Sequence, residues 1–217
     1  MVSKARANTR TDKLARRIEI IEAALVLWER TPYEDLTMSM VANSLNLAKG
    51  TLYLYFPSKE ELFLAVYVGL LDQWFDQVEL GLEDLKTGTP ATVAAILVEQ
   101  LVSRPNLARL IPLIAGSLER NLTEGAAKEY KSWQARRIDG LGKEVEAKLP
   151  NLPRGCGAEA CLYFHALAAG LGPMGDAVLT LKDATDERER TRLQNNFSAT
   201  LKRGVTALII GLQTRQA

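Results

Sequence analysis

Lys49, Thr51, Tyr53 and Tyr55 fall within one short stretch of the 217-residue chain and carry an ammonium, a hydroxyl and two phenols. Side chains of this kind donate hydrogen bonds to phosphate oxygens and to base edges in a major groove. Helical spacing puts Lys49 and Tyr53 on one side and Leu52 and Phe56 on the other, so one face is core and one is free. Gly50 in the same run costs about 1 kcal/mol against alanine, and close approach of the backbone to a partner surface is the use such a glycine has. Upstream, Thr37 is a good N-cap, Val41, Ala42 and Leu45 recur at helical spacing, and Asn46 tolerates the left-handed backbone of a sharp turn. These residues predict a helix from about Met38 to Leu45, a turn, and a second helix from Ala48 to Tyr55, which is a helix-turn-helix. After Pro57, Ser58 to Glu61 reads as a capping box that opens another helix. Lys59 stands at its first position, where the macrodipole disfavours a cation, so a phosphate nearby is expected.

The elements that must hold this stretch are all helical. Leu14, Ile18, Ile21, Leu25 and Trp28 recur at spacings of four and three, which predicts a first helix ending near Arg30 and packed on the helix-turn-helix through that stripe. A long helix from Lys59 to about Leu85 carries Leu62, Val66, Leu70, Phe75, Val78 and Leu82, and Gly88-Thr89-Pro90 breaks it. Later helices are expected from about Ala91 to Val102, Asn106 to Glu119, Glu124 to Leu149, Ala158 to Leu181 and Asp186 to Gln213. No run alternates in polarity between hairpin glycines, so the predicted class is all-α.

Composition narrows the function. Hydrophobic residues make up 47% of the chain and its net charge is +1, but no uncharged apolar run reaches the eighteen or so residues needed to span a bilayer. Residues 1–17 hold six Lys or Arg and one Asp without an apolar block behind them, so no secretory signal is read there and a cytoplasmic protein is expected. The first twelve residues read as a basic flexible arm, either reaching phosphates or a minor groove or merely solvated. Cys156 and Cys161 are too few for a disulfide framework and lack the partners of a zinc site; inert thiols are the default and a redox pair the alternative. His165 is the single histidine, no glycine-rich loop follows a strand, and metal-ligand spacings are absent. Catalysis, a metal and a cofactor thus have no residues to carry them.

In the last helix Leu193, Phe197, Leu201, Val205, Leu208 and Leu212 form an apolar stripe beside Gly204, and the helix before it carries Gly170, Gly172 and Gly175 around Pro173. The stripe is expected to pair two copies, because one helix-turn-helix reads too few base pairs for specificity; packing on the chain's own core is the other reading.

The run from Arg17 to Leu64 resembles the N-terminal domain of the TetR family of bacterial transcription regulators. The resemblance rests on Ala23-Ala24, Trp28, Tyr33, Thr37 and above all KGTLYLYFPSKEEL from Lys49 to Leu62, about a quarter of the chain. Pro32 and Asn46 stand where glycine is common in the family, and both suit turns. The resemblance implies a three-helix DNA-binding domain over 13–60, with its helix-turn-helix at about 37–56, and a larger effector-binding and dimerisation domain over 61–217. DNA contacts would fall to Thr37, Ala48, Lys49, Gly50, Thr51, Tyr53, Tyr55 and Lys59. It further implies a homodimer built through the last two helices and a pocket for a small, mostly apolar effector. Trp74, Phe75, Trp133 and His165 are the residues expected there, with Tyr163 and Phe164 nearby and Ser117, Glu119 and Asn121 as polar candidates; ordinary core packing is the alternative for each. The implied function is repression from a palindromic operator on double-stranded DNA, relieved by the effector, in a protein associated with the nucleoid when bound. The alternatives are an effector-free architectural or division-control DNA binder, and an activator.

Overall fold

A computed structural model describes residues 10–114, 121–176 and 187–215, with side chains over 10–114, 121–172 and 197–215. Nine helices appear among them: α1 (Arg10–Trp28), α2 (Met38–Ser44), α3 (Lys49–Tyr53), α4 (Lys59–Glu83), α5 (Pro90–Val102), α6 (Pro105–Leu113), α7 (Glu124–Lys148), α8 (Cys156–Asp176) and α9 (Glu187–Gln213). No strand occurs in the described residues.

Local signals fix most of the boundaries. Thr37 Oγ1 accepts from the Met40 amide at 3.3 Å and starts α2. Asn46 ends it with φ 52. The Asn46 amide donates to Asn43 O at 3.1 Å and the Leu47 amide to Ala42 O at 2.8 Å, the paired bonds that close a helix through a left-handed residue. Thr89 and Thr92 form a reciprocal capping box at the start of α5. Ser58 caps α4 by accepting from the Glu61 amide at 3.1 Å, but the expected box is only half made, because the Glu61 carboxylate accepts from Thr123 Oγ1 at 2.7 Å instead. Thr123 is itself the N-cap of α7, so one hydroxyl ties the starts of two helices together.

Of the expected basic arm, residues 1–9 lie outside the described residues, while Arg10 to Asp12 already belong to α1. The core face of α1 differs from the expected stripe. Ile20, Ala24 and Trp28 are buried, with Ile21 and Leu25 at their margin, whereas Leu14 and Ile18 are 56% and 55% exposed. The sequence offers two apolar stripes about 80° apart, and only the C-terminal half of the helix has anything to pack on.

A single apolar core runs through both halves of the molecule. The long α4 threads it, burying Leu62, Phe63, Val66, Tyr67, Leu71, Trp74, Phe75, Val78 and Leu82. Around it α5, α6, α7, α8 and α9 form the larger bundle. Helices α7 and α8 cross so closely that a Cβ on Gly157 would stand 2.0 Å from the Gly142 carbonyl oxygen, which only two glycines permit.

The stripe on α9 is buried by the chain itself. Leu201, Val205 and Leu212, together with Ile209, are part of the core, and Phe197 and Leu208 are half-buried. Leu193, Pro173 and Gly175 lie outside the described side chains. The expectation that this stripe faces a second copy therefore fails for the residues at its centre: α5 and α8 already occupy that face.

Candidate nucleic-acid interface

Helix α3 is short because Leu54 closes it at Tyr53, two residues earlier than the sequence suggests. Leu52 and Phe56 are buried and anchor it, while Lys49, Gly50 and Tyr53 are exposed and Thr51 half-buried. The Lys49 ammonium lies 5.8 Å from the Tyr53 ring centroid, an edge-of-range cation–π contact that keeps both donors on one side. Nothing lies within 4 Å of a Cβ built on Gly50, so its backbone is open to a partner surface. No carboxylate occurs between Leu36 and Lys59, and the surface around α2 and α3 carries no acidic group of its own to repel a phosphate.

Two of the expected contact residues, Tyr55 and Lys59, are placed differently from expectation. Tyr55 is half-buried and packs against the core rather than on the free face. Thr37 caps α2 as expected, and the acceptor position it spends there leaves its O–H to give. Lys59 was expected at a phosphate, but its Nζ donates to Tyr33 O at 2.8 Å and to Leu36 O at 3.0 Å, and lies 4.0 Å from the Tyr33 ring centroid. Those carbonyls close the turn before α2, so the ammonium that seemed to await an anion is satisfied by the chain's own oxygens. Beside it, burial and the neighbouring Glu60 carboxylate push the Tyr33 phenol well above its ordinary range.

Two side chains at this site escape a reading of short spacings. Arg17 reaches from α1 to donate to Tyr55 O at 3.1 Å and stacks 4.1 Å from the Phe56 ring centroid, fixing the chain just beyond α3. Leu54 keeps a helical backbone and is 83% exposed. A step of about 100° per residue carries it some 200° from Leu52, which the paired residues four apart conceal.

A second cluster lies about sixteen residues further along α4. Trp74 is buried, donates Nε1 to Leu97 O at 3.2 Å, stacks on Phe164 with centroids 5.1 Å apart, and meets Phe75 edge-on. Trp74, Phe75, Phe164, His165, Gln134 and Cys161 line a cavity of about 20 Å³ closed on the α6 side by Leu107 and Ile111. That volume is on the order of one water. Trp133 does not line it but packs against Phe75 and Tyr130, and Tyr163 turns its hydroxyl to Glu159. Asn121 is exposed, while Ser117 and Glu119 lie outside the described residues. Both cysteines are free and buried. Burial, with the Glu146 carboxylate adding to it, pushes the Cys161 thiol up to about 12, which disfavours the thiolate, its reactive form.

The two clusters are mechanically joined. Arg109 of α6 stacks 4.2 Å from the Trp28 ring centroid and donates to Trp28 O at 3.4 Å. Asn106 donates to Glu29 at 3.1 Å and accepts from Trp28 Nε1 at 3.4 Å. On the other side Arg137 of α7 pairs with Asp72 at 3.1 Å and Asp76 at 2.6 Å on α4. Elsewhere, Leu162, Ala166 and Gly170 recur along an exposed side of α8, and Ala207 and Ile210 along an exposed side of α9, which packs on it, with Leu162 51% and Ile210 49% exposed.

Comparison with known proteins places both halves. Residues 20–66 match the family described as bacterial regulatory proteins, tetR family, and residues 69–216 match a tetracyclin repressor-like C-terminal domain. The chain is 29% identical over 86 residues to a fatty acid metabolism regulator protein of Bacillus subtilis (strain 168), covering 40% of this chain and 43% of that protein. It is 28% identical over 151 residues to the nucleoid occlusion factor SlmA of Salmonella paratyphi B, covering 68% of this chain and 71% of that protein. The chain spans less than half the length of the Bacillus subtilis relatives it matches. Thermus thermophilus FadR, a repressor solved in complex with lauroyl-CoA, shares the fold with a TM-score of 0.58 and 20% identity over 93% of this chain and 97% of that one. Among the described residues no helix is long and apolar enough to cross a membrane.

Proposed function

The chain belongs to the TetR family of bacterial transcription regulators, and on that premise we propose that it is a repressor released from a palindromic operator by a small, mostly apolar effector. The observation that carries the reading is that one rigid helix, α4, starts six residues after the end of α3, against the turn that precedes α2, and buries Trp74 in the wall of the cavity, about 24 Å further on at ~1.5 Å per residue. Lys49, Thr51 and Tyr53 meet DNA, with Thr37, Ala48 and Gly50 at the margin of the contact; Lys59 positions the turn that presents them. Two copies pair through the face of Leu162, Ala166, Gly170, Ala207 and Ile210, which sets two α3 helices into major grooves about 34 Å apart.

The size of the cavity supports coupling to DNA. Ligand sites typically hold about 300–1,000 Å³, so an effector entering here must open a space that starts near 20 Å³. Leu107 and Ile111 stand on the α6 side of that space, and Asn106 and Arg109 of the same helix hold the end of α1. Widening the cavity therefore moves the seat of the DNA-binding half, and a coupling of ~1–3 kcal/mol changes occupancy substantially. The names of the two fatty-acid-related proteins favour a long-chain acyl compound as the first effector class to try.

The test is to enrich duplexes from a random pool with the purified full-length protein, then titrate acyl-CoA thioesters of increasing chain length into the complex at fixed salt. Release of DNA together with a change in tryptophan fluorescence over one concentration range is the expected result. The longer match to a nucleoid occlusion factor favours an effector-free DNA binder as the second reading; DNA binding that no compound disturbs would select it.

A further inference from the structure

We propose that Leu54 is a specificity-determining residue that reads the 5-methyl group of a thymine in each half-site. The inference rests on the DNA-reading function above and goes beyond it to name a base contact.

Leu54 is the most exposed large apolar side chain in the described residues, at 83%, and it stands at the end of the helix whose other exposed groups are polar. Its φ of −72° and ψ of −19° continue α3, so its direction follows from the helix. Leu52 and Phe56 mark the buried side, and the direction opposite their midpoint falls on Leu54, with Gly50 one turn earlier and about 40° to one side on the same ridge. Nothing lies within 4 Å of a Cβ on Gly50. The ridge that projects furthest from the core thus pairs a residue with no side chain and a leucine with nothing of its own chain to cover it. Lys49 and Tyr53 lie together along one side of this ridge, and Thr51 lies on the other.

An aliphatic side chain gains nothing from a phosphate and displaces the water around it. The surroundings nevertheless suit DNA, since no carboxylate occurs from Leu36 to Lys59 and Lys49 lies one turn away. Within a major groove the base edges present donors and acceptors, and the apolar group among them is the C5 methyl of thymine. With the backbone at Gly50 close to the groove, Leu54 one turn along reaches that methyl, while Lys49 and Tyr53, together on one side of the ridge, turn toward one strand.

The experiment uses the full-length protein and the duplex it enriches from a random pool. Each thymine is replaced in turn by deoxyuridine, symmetrically in both half-sites, and affinity is measured by fluorescence anisotropy at one salt concentration. At one thymine position per half-site, loss of the methyl should weaken binding about fourfold per half-site, the equivalent of one buried methyl-sized group. Leu54→Ala should bind the thymine duplex correspondingly more weakly and treat thymine and uracil at that position alike. Uracil sensitivity that survives in Leu54→Ala, or its absence at every thymine, overturns the assignment while leaving the DNA-reading function standing. Unchanged affinity of Leu54→Ala for every duplex also overturns it and gives the side chain to a protein partner. A pool that yields no preferred duplex removes the regulator reading itself, and this assignment with it.

Discussion

Replacing Lys59 by alanine separates a lysine that holds the protein from one that holds DNA. The change removes two charge-assisted hydrogen bonds, to Tyr33 O and Leu36 O, and a cation–π contact on Tyr33. Bonds to charged groups contribute ~1.5–3 kcal/mol each when protected from water, but Lys59 is half-buried and water can replace it at both carbonyls, so about 1 kcal/mol each is the fitting figure. The ring contact adds ~0.5–1 kcal/mol. Against these, alanine is a better helix former and relieves a cation at a helix N-terminus, returning roughly 0.5–1 kcal/mol. The net loss is about 2 kcal/mol, which moves a urea midpoint by about 1 M for a slope near 2 kcal/mol/M. Urea unfolding followed by tryptophan fluorescence should show that shift with the slope unchanged. Operator affinity should keep its dependence on salt, since a lost phosphate contact would lower the slope by ~0.9 per half-site. A variant as stable as the parent but with a shallower salt slope would give the ammonium to the operator and sink the structural assignment.

Three further outcomes follow from the geometry. Ile210→Glu should yield a folded monomer by sedimentation with its helical circular dichroism intact, whereas Leu201→Glu, buried in the chain's own core, should lose several kcal/mol and unfold; an intact Ile210→Glu dimer would remove that face from the interface. Cys161 is neutral in both states below its unfolded value near 9 and stays protonated in the fold up to about 12, so its contribution to stability is complete below pH 9 and is lost as pH rises toward 12. Cys161→Ala should therefore flatten the alkaline decline by up to about 1.4 kcal/mol per pH unit in denaturation at pH 9–11, and parallel slopes would contradict the assignment. Arg109→Ala, which unstacks α6 from Trp28, should leave operator affinity without effector within about threefold of the parent and cut the effector-induced weakening by about tenfold, on the order of 1.4 kcal/mol of coupling, in the same anisotropy titration; a full response would place the coupling elsewhere.

What could be read from the sequence was what neighbours in sequence decide. Thr37, Asn46 and Ser58 act on amides and carbonyls within five residues, so their types already imply the helix starts and the turn. The hidden features have remote partners. Lys59 finds its acceptors 26 and 23 residues upstream, and Glu61 finds Thr123, 62 residues away. Periodicity marked α9 as having a buried face, yet a period carries no information on whether the cover is another helix of the same chain or a second copy. In α1 the two apolar stripes are equally periodic, and the end of the helix beyond its supports decided between them. Trp133 and Gln134 adjoin in sequence, and only the rotation of α7 sets Gln134 at the cavity and Trp133 beside it.

The near-filled cavity makes its own lining a dial for adaptation. A truncation such as Phe164→Ala would leave the resting protein with part of the opening that an effector must otherwise force, so inducers bind more readily and repression leaks. A larger side chain in place of Cys161 would jam the same space, giving a regulator deaf to its signal. On the proposed gating, single changes in side-chain volume at these positions would retune the threshold of induction, and none of them touches the exposed face of α3.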